Sequence, residues 1–198
     1  MDIVLSTRNP SKAPQIQTLF GDSSIRVHTL DELGIEGEVV EDGMTLEENS
    51  TKKAVFAHER ANGSWAMADD SGLFINALNG VPGVNAAYWA GMDVPTEVTT
   101  QYCIDQMAGL EDRTAIFRVV VVVISPEGER YVFDGEVEGS MLEGPRVPPQ
   151  PKMPYSPLFV PRGETRSWAE MSTEEGNAIS HRGIAFRKVK EFLEGIPQ

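Results

Sequence analysis

The sequence predicts an α/β fold, and two observations support this prediction. Short apolar runs alternate with segments of helical periodicity in the first half of the chain, and strand-like runs dominate residues 114–142. The 198 residues are 40% hydrophobic, which is enough for a core of their own. We therefore expect a single α/β domain over residues 1–198, built from two lobes.

The chain opens with a strand, a helix and a second strand. Residues 3–6 and 25–30 are short apolar runs typical of buried strands. Residues 11–20 carry apolar side chains at helical spacing, with a proline in the first turn, where helices tolerate it. This order of elements is typical of the start of an α/β domain.

A second helix and a third strand follow. The helix is predicted over residues 45–61, because Glu48 follows Thr45 at the spacing of a capping box. The strand is predicted over residues 64–68 and leads directly to two adjacent acidic residues. The chain is then expected to continue extended over residues 73–78.

The adjacent carboxylates of Asp69 and Asp70 are the most informative feature of the sequence. Neighbouring aspartates repel each other and gain nothing from burial, so a cation or a proton-transfer role is the usual reason to find them after a strand. A solvated turn closed by Gly72 is the alternative interpretation.

The second half of the chain is predicted to be mainly β. A helix over residues 96–107, capped by Thr96, precedes strands at 114–124 and 130–137, which a hairpin turn connects. A third segment near residues 140–142 would complete an antiparallel meander.

Six prolines lie between residues 144 and 157, a density that excludes a helix there. Such a segment is either a hinge between domains or the wall of a binding site. The second interpretation is preferred, because residues 158–160 read as a further strand. The chain then closes with helices predicted at residues 173–175 and 184–193.

Charge and cysteine content exclude several classes of protein. The net charge of −13 argues against binding of polymeric nucleic acid, whereas a small polyanion held with a divalent metal remains compatible. The single cysteine, Cys103, permits neither an intramolecular disulfide nor a zinc finger. No segment has the ~20 apolar residues of a membrane span, and no signal-peptide pattern is present. We expect a cytoplasmic protein without a membrane partner.

Four segments, in order, resemble the motifs of one family. Residues 6–12 are similar to a T-x-N-x-x-K opening, residues 41–54 to E-x-G-x-T-F-x-E-N-A-x-x-K-A, residues 68–73 to A-D-D-S-G-L, and residues 179–183 to I-S-H-R-G. The chain thereby resembles the inosine triphosphate pyrophosphatase family, also called the Ham1 family, over nearly its whole length. The resemblance implies a central twisted mixed sheet flanked by helices, an antiparallel lobe, a nucleotide cleft between the lobes and a homodimer.

The resemblance also implies a triphosphate site on the first loop and the second helix. Thr7, Asn9 and Lys12 lie at the first strand-to-helix turn, where backbone N–H groups favour anions. Lys53 and Ser71 match further substrate-binding positions of the family. A solvated surface charge is the alternative for the lysines.

Metal binding and water activation fall to three carboxylates in this family. Glu41 and Asp70 match the metal-binding positions, and Mg²⁺ prefers such oxygen ligands. Asp69 would position or deprotonate the attacking water, with Lys53 beside it, and the division of roles between the two aspartates stays open.

Base recognition is implied for Tyr155, Ser156, His181 and Arg182. The side chains of His181 and Arg182 can both donate hydrogen bonds to a 6-oxo purine, and Tyr155 could stack on the base. A His-Arg pair that merely caps a helix start is the alternative.

This chain departs from the family pattern at four positions. Ser156 stands where the family has an aspartate, Met153 where it has an aromatic residue, Gly176 where a lysine is common, and Arg8 where T-G-N has glycine. The first three alter the expected base pocket. The metal and phosphate residues are all retained.

The predicted activity is Mg²⁺-dependent hydrolysis of ITP, dITP or XTP to the monophosphate and pyrophosphate. The same chemistry with a shifted base preference is one alternative. A nucleotide-binding regulator without turnover is another, although the retention of both Asp69 and Asp70 argues against it.

Overall fold

The computed structural model describes residues 1–9 and 12–196, which form two compact units. Unit 1 contains residues 1–70, 119–135 and the chain from 182 onward, and unit 2 contains residues 71–118 and 136–181. The predicted start of the first helix at Ser11, and Pro10 before it, lie outside the described residues.

The fold is α/β, as the sequence predicts. The strands are β1 (Asp2–Leu5), β2 (Arg26–Thr29), β3 (Ala66–Ile75), β4 (Pro82–Gly83), β5 (Thr114–Ile124), β6 (Arg130–Met141) and β7 (Phe159–Pro161). The helices are α1 (Lys12–Phe20), α2 (Leu46–Arg60), α3 (Thr96–Gln106), α4 (Thr173–Ile179) and α5 (His181–Glu194). Among the described residues, no helix is long and apolar enough to cross a membrane.

The strands form a mixed sheet in the order β2-β1-β3-β5-β6-β7, with β4 paired to β3. β1 is parallel to both of its neighbours, β2 and β3. β4 is antiparallel to β3, and β7 is antiparallel to β6. The parallel part explains the continuous apolar run of β1, since helices cover both faces of such strands.

The core of unit 1 lies on both faces of the sheet. Val119, Val121 and Val123 of β5 pack in one cluster with α1 and α5, where Phe20 and Phe186 meet edge to face with ring centroids 6.3 Å apart. The alternate residues of β5 pack in a separate cluster with α2. Successive strand residues point to opposite faces, so a strand covered on both sides is apolar throughout.

The core of unit 2 is rich in aromatic side chains. Phe117 meets Phe159 edge to face at 4.9 Å, and buried Cys103 and Met107 of the α3 region join the same cluster. Burial raises the pKa of the Cys103 thiol to about 12, so this cysteine is a packing residue.

The start of α2 confirms the predicted cap, and the start of α3 corrects one. The hydroxyl of Thr45 accepts a hydrogen bond from the backbone N–H of Glu48 at 3.1 Å. Helix α3 begins after Pro95, and Thr96 caps nothing; its hydroxyl accepts from the N–H of Lys152 at 3.2 Å instead. The predicted cap was wrong because a distant loop uses the hydroxyl.

The aspartate pair lies inside a strand, so the predicted turn at Gly72 is wrong. β3 runs through Asp69, Asp70 and Gly72 without interruption. A Cβ on Gly72 would lie 2.5 Å from the carbonyl oxygen of Gly83, so this glycine permits the close approach of β4. The predicted extended stretch ends early, because Asn76–Leu78 forms a 3₁₀ turn.

The third meander segment was also misplaced. Residues 140 and 141 belong to β6, and the strand that pairs with them is β7. Between residues 144 and 157 no helix forms, as the prolines predict. Both C-terminal helices are longer than predicted: α4 begins after the capping residue Ser172, and α5 begins at His181.

Candidate active site

The centre of unit 1 is a buried carboxylate held between two cations. The Nζ of Lys12, the first residue of α1, lies 2.6 Å from Oδ1 of Asp69. The Nε of Arg182, near the start of α5, lies 3.4 Å from Oδ2 of the same side chain. The Asp69 side chain is only 1% exposed. The first and last helices of the chain thus converge on one residue of β3.

These contacts set the protonation states of the group. Burial alone would raise the pKa of Asp69, but the nearby charges of Lys12 and Arg182 outweigh it and hold that pKa well below its ordinary value. Burial lowers the pKa of Lys12, and the neighbouring carboxylate only partly offsets this. Asp69 is therefore ionised at any pH at which the protein is studied.

A second group joins Glu41, Lys53 and Asp70. The Nζ of Lys53 lies 2.7 Å from Oε2 of Glu41 and 2.8 Å from Oδ1 of Asp70. Lys53 and Asp70 are each 13% exposed at the side chain. Burial raises the pKa of Asp70 despite the ammonium beside it, while the two carboxylates raise the pKa of Lys53 against the effect of its burial. Two acidic side chains therefore converge on a single cation.

Helix α2 places these groups through residues one turn apart. Asn49 and Lys53 share a helix face, and the Asn49 amide donates to Oδ2 of Asp70 at 3.3 Å. The buried hydroxyl of Ser50 donates to the carbonyl oxygen of Ala68 at 2.7 Å and accepts from the N–H of Val122 at 3.1 Å. Ser50 thereby fixes α2 against β3 and β5.

The segment before α2 approaches the same helix face. The N–H of Gly43 donates to Oδ1 of Asn49 at 2.8 Å. A Cβ on Gly43 would lie 2.6 Å from that oxygen and 2.8 Å from Cβ of Glu48, so only glycine fits. This close approach explains the glycine two residues after Glu41 in the motif.

The first loop is closed by local hydrogen bonds. The hydroxyl of Thr7 accepts from the N–H of Asn9 at 3.1 Å, and the carbonyl oxygen of Asn9 accepts from the N–H of Lys12 at 3.1 Å. Thr7 therefore shapes the loop that leads to Lys12. The Arg8 side chain turns toward the segment after β2, where it pairs with Asp31.

The remaining predicted residues belong to unit 2. The ring of His181 stacks on Phe117 with centroids 5.1 Å apart and on Trp168 at 5.4 Å. His181 is buried. Ser71 follows Asp70 in β3, and its hydroxyl is buried without a hydrogen-bond partner among the described residues.

Two predicted base contacts have structural roles in unit 2. Tyr155 is buried, and its hydroxyl donates to the carbonyl oxygen of Ala86 at 2.6 Å. The hydroxyl of Ser156, also buried, donates to the carbonyl oxygen of Met153 at 2.8 Å. Tyr155 therefore packs in the core and presents no open ring face, which corrects the expectation that it stacks on a base.

The structure places Arg182 with the carboxylates of unit 1, whereas the sequence assigned it to base recognition. It also adds three residues that the site assignment missed. Asn49 could have been found from its position four residues before Lys53 on one helix. Phe117 and Trp168 are distant from His181 in sequence, and no local pattern marks them.

The carboxylates of unit 1 fit a divalent metal by their chemistry. Glu41 and Asp70 supply hard oxygen donors that already converge on one cation, and magnesium needs only one or two such carboxylates. Within residues 1–9 and 12–196, no group of three or more His, Cys, Asp or Glu side chains has metal-binding geometry. A metal would therefore be bound with further ligands from water and phosphate.

The motifs that build this site extend to the whole sequence. The sequence model of the Ham1 family matches residues 3–192. The chain belongs to the Ham1 family. Curated relatives named dITP/XTP pyrophosphatase include a protein of Thermoanaerobacter pseudethanolicus, 35% identical over 98% of this chain and 96% of its own length. Another, from Geobacter sulfurreducens, is 37% identical over 96% of each chain.

Solved structures of Ham1 proteins share the fold. A HAM1 protein from Coxiella burnetii superposes with a TM-score of 0.89 at 32% identity, over 99% of this chain and 100% of the other. The Staphylococcus aureus Ham1 protein gives 0.87 at 32% identity, over 98% and 99%. The family resemblance and the mixed sheet predicted from the sequence are thus confirmed.

Proposed function

We propose that this Ham1 protein is a nucleoside triphosphate pyrophosphohydrolase that cleaves ITP, dITP or XTP to the monophosphate and pyrophosphate. One observation carries the proposal: two lysine ammonium groups lie against the adjacent carboxylates Asp69 and Asp70 in unit 1. Cations bind the anionic substrate, and carboxylates serve a metal and a water. The relatives named dITP/XTP pyrophosphatase support the same activity.

The first loop and α2 would bind the triphosphate. Lys12 and Lys53 are held by buried or half-buried carboxylates, so their ammonium groups are fixed in place before a substrate arrives. Thr7, Asn9 and Ser71 would add neutral hydrogen bonds. Charge-assisted hydrogen bonds of this kind are stronger than neutral ones.

Glu41 and Asp70 would hold the metal, for which we propose Mg²⁺. When bound, the ion neutralises charge on the phosphate oxygens and orients them for attack. The Lys53 ammonium would shift from these carboxylates toward the phosphates when the metal is bound.

The two aspartates would have different roles. Both oxygens of Asp69 face cations, so we assign it the positioning of Lys12 and Arg182. Asp70 has the pKa raised by burial and is the better proton acceptor, so we assign to its carboxylate the proton of the attacking water. This assignment revises the sequence-based expectation, which gave the water to Asp69.

Base recognition would depend on His181, whose ring is fixed by Phe117 and Trp168. A 6-oxo purine accepts hydrogen bonds from such a group, whereas a 6-amino purine leaves donors facing donors, at about 1–3 kcal/mol per group. The homodimer, the cytoplasmic location, the arrangement of one domain with two lobes and the weakened discrimination expected from Ser156 stay predictions.

A nucleotide panel tests the proposal. Purified protein is incubated with ITP, dITP, XTP, GTP and ATP, with Mg²⁺ or with EDTA, and phosphate is measured after added inorganic pyrophosphatase. We expect turnover of ITP, dITP and XTP that needs Mg²⁺. Equal turnover of all five nucleotides would favour the shifted base preference, and binding without turnover would favour a regulator.

A further inference from the structure

Arg8 connects two segments of unit 1 that both contain candidate site residues. Its Nη2 donates to the carbonyl oxygens of Ile35 at 2.9 Å and Gly37 at 2.6 Å. Its Nη1 pairs with the carboxylate of Asp31. All three partners lie between β2 and α2, more than twenty residues from Arg8 in sequence.

The segment that Arg8 holds leads directly to Glu41. From Gly37 to Gly43 the chain has no regular secondary structure, so no ladder of backbone hydrogen bonds fixes it. Its far end is attached to α2, where the N–H of Gly43 donates to Asn49. The near end is attached to Arg8. Glu41 lies between these two attachments, and its carboxylate reaches Lys53.

The other end of the connection is the first loop. Arg8 lies between Thr7 and Asn9, whose side chain and backbone close that loop before Lys12. A guanidinium group is planar and donates in several fixed directions, which suits two carbonyl oxygens and a carboxylate at once. The Arg8 hydrogen bonds described here are directed to protein groups, away from a role as a phosphate ligand.

We propose that Arg8 is a positioning residue that keeps Glu41 in place for metal binding. It does so by tying the segment at Ile35 and Gly37 to the loop that carries Asn9. The inference rests on the proposed function for the metal role of Glu41, while the restraint of the segment stands on the Arg8 hydrogen bonds alone. Arginine at this position thus has a use that the glycine of the family motif cannot have.

The test compares Arg8→Ala with the wild type in two measurements that do not depend on each other. Hydrogen exchange of the backbone amides of residues 38–43 should become about tenfold faster in the variant, because the segment loses one of its two attachments. The Mn²⁺ concentration for half-maximal binding, measured by electron paramagnetic resonance without nucleotide, should rise about tenfold, as expected when support of a metal ligand is lost.

Kinetics separate positioning from direct phosphate binding. The half-saturating Mg²⁺ concentration should rise about tenfold in Arg8→Ala, while the KM for ITP at saturating Mg²⁺ stays within about twofold. A raised KM at saturating Mg²⁺ with unchanged exchange and Mn²⁺ binding would make Arg8 a phosphate contact and overturn the proposal.

Two further variants control the result. Arg162→Ala removes an exposed arginine that pairs with Glu138, and it should change none of the measurements. Arg8→Lys keeps the charge beside Asp31 but loses the planar fork, so it should recover only part of the wild-type exchange protection. Unchanged exchange in Arg8→Ala overturns the inference even if the protein hydrolyses ITP. A protein that hydrolyses no nucleotide but shows faster exchange refutes the proposed function alone.

Discussion

The ammonium group of Lys12 lies 2.6 Å from a carboxylate oxygen of Asp69, in a site where the Asp69 side chain is 1% exposed. One residue comes from the first helix and the other from the third strand. The contact therefore joins the loop that would bind phosphate to the strand that carries both aspartates. It also makes Asp69 a structural residue as well as a candidate for the chemistry.

We predict that Asp69→Asn destabilises the protein by about 3 kcal/mol at pH 7, because it leaves the charges of Lys12 and Arg182 without their buried partner. The folded-state pKa of Asp69 is lowered, so its stabilising effect is complete above the ordinary value of 3.8 and is lost as the pH falls below it. Urea unfolding of both proteins at pH 7 and pH 3 measures this. A difference in unfolding free energy that does not shrink at pH 3 would contradict the assignment.

We predict that Asp70→Asn abolishes turnover and leaves the melting temperature within a few degrees of the wild type. The change keeps the side-chain volume but removes a charge that Lys53 and the proposed metal need. Steady-state kinetics at saturating Mg²⁺ and a thermal melt check both parts. Asp134→Asn, which alters an exposed pair with Lys188, is the matched control and should keep full activity. Equal kcat values for Asp70→Asn and the wild type would remove Asp70 from the site.

We predict that Lys53→Ala weakens triphosphate binding by on the order of 1.5–3 kcal/mol, or roughly tenfold to a hundredfold. Its neighbour Lys52 is 43% exposed and pairs with Asp42 on the surface, so Lys52→Ala is a control of the same chemistry. The kcat/KM for ITP measured for both variants decides the matter. The phosphate site would have to lie elsewhere if the two lysine variants behaved alike.

We predict that His181→Phe lowers the preference for ITP over ATP about tenfold, measured as the ratio of kcat/KM values. Phenylalanine preserves the stack with Phe117 and Trp168 but removes the ring nitrogens. Ser156→Ala should leave that ratio unchanged and cost about 1 kcal/mol of stability, because the Ser156 hydroxyl donates to Met153. A shifted ratio in Ser156→Ala alone would return base recognition to position 156.

Local signals predicted much of the fold and part of the site. The apolar runs of β1 and β5, the Thr45 cap and the helical spacing of Asn49 and Lys53 all lie within short stretches of sequence. These patterns depend on backbone geometry that neighbouring residues set. The long helix and the grouping of Lys53 with Asp70 followed from them.

The errors came from contacts between distant residues. Gly72 looks like a turn residue until Gly83 is seen against it, and Thr96 looks like a cap until Lys152 takes its hydroxyl. Tyr155 looks like a stacking residue until the core of unit 2 encloses it. A single sequence contains no local record of such partners, so tertiary packing overrode the local pattern at each of these positions.

The products of ITP hydrolysis test the central claim most directly. Phosphorus NMR of the reaction in Mg²⁺ follows the monophosphate, diphosphate, pyrophosphate and phosphate signals separately. We predict IMP and pyrophosphate in equal amounts, with no IDP and no free phosphate, and no reaction in the Asp70→Asn variant. Accumulation of IDP with phosphate would show cleavage of the terminal phosphate and contradict the account.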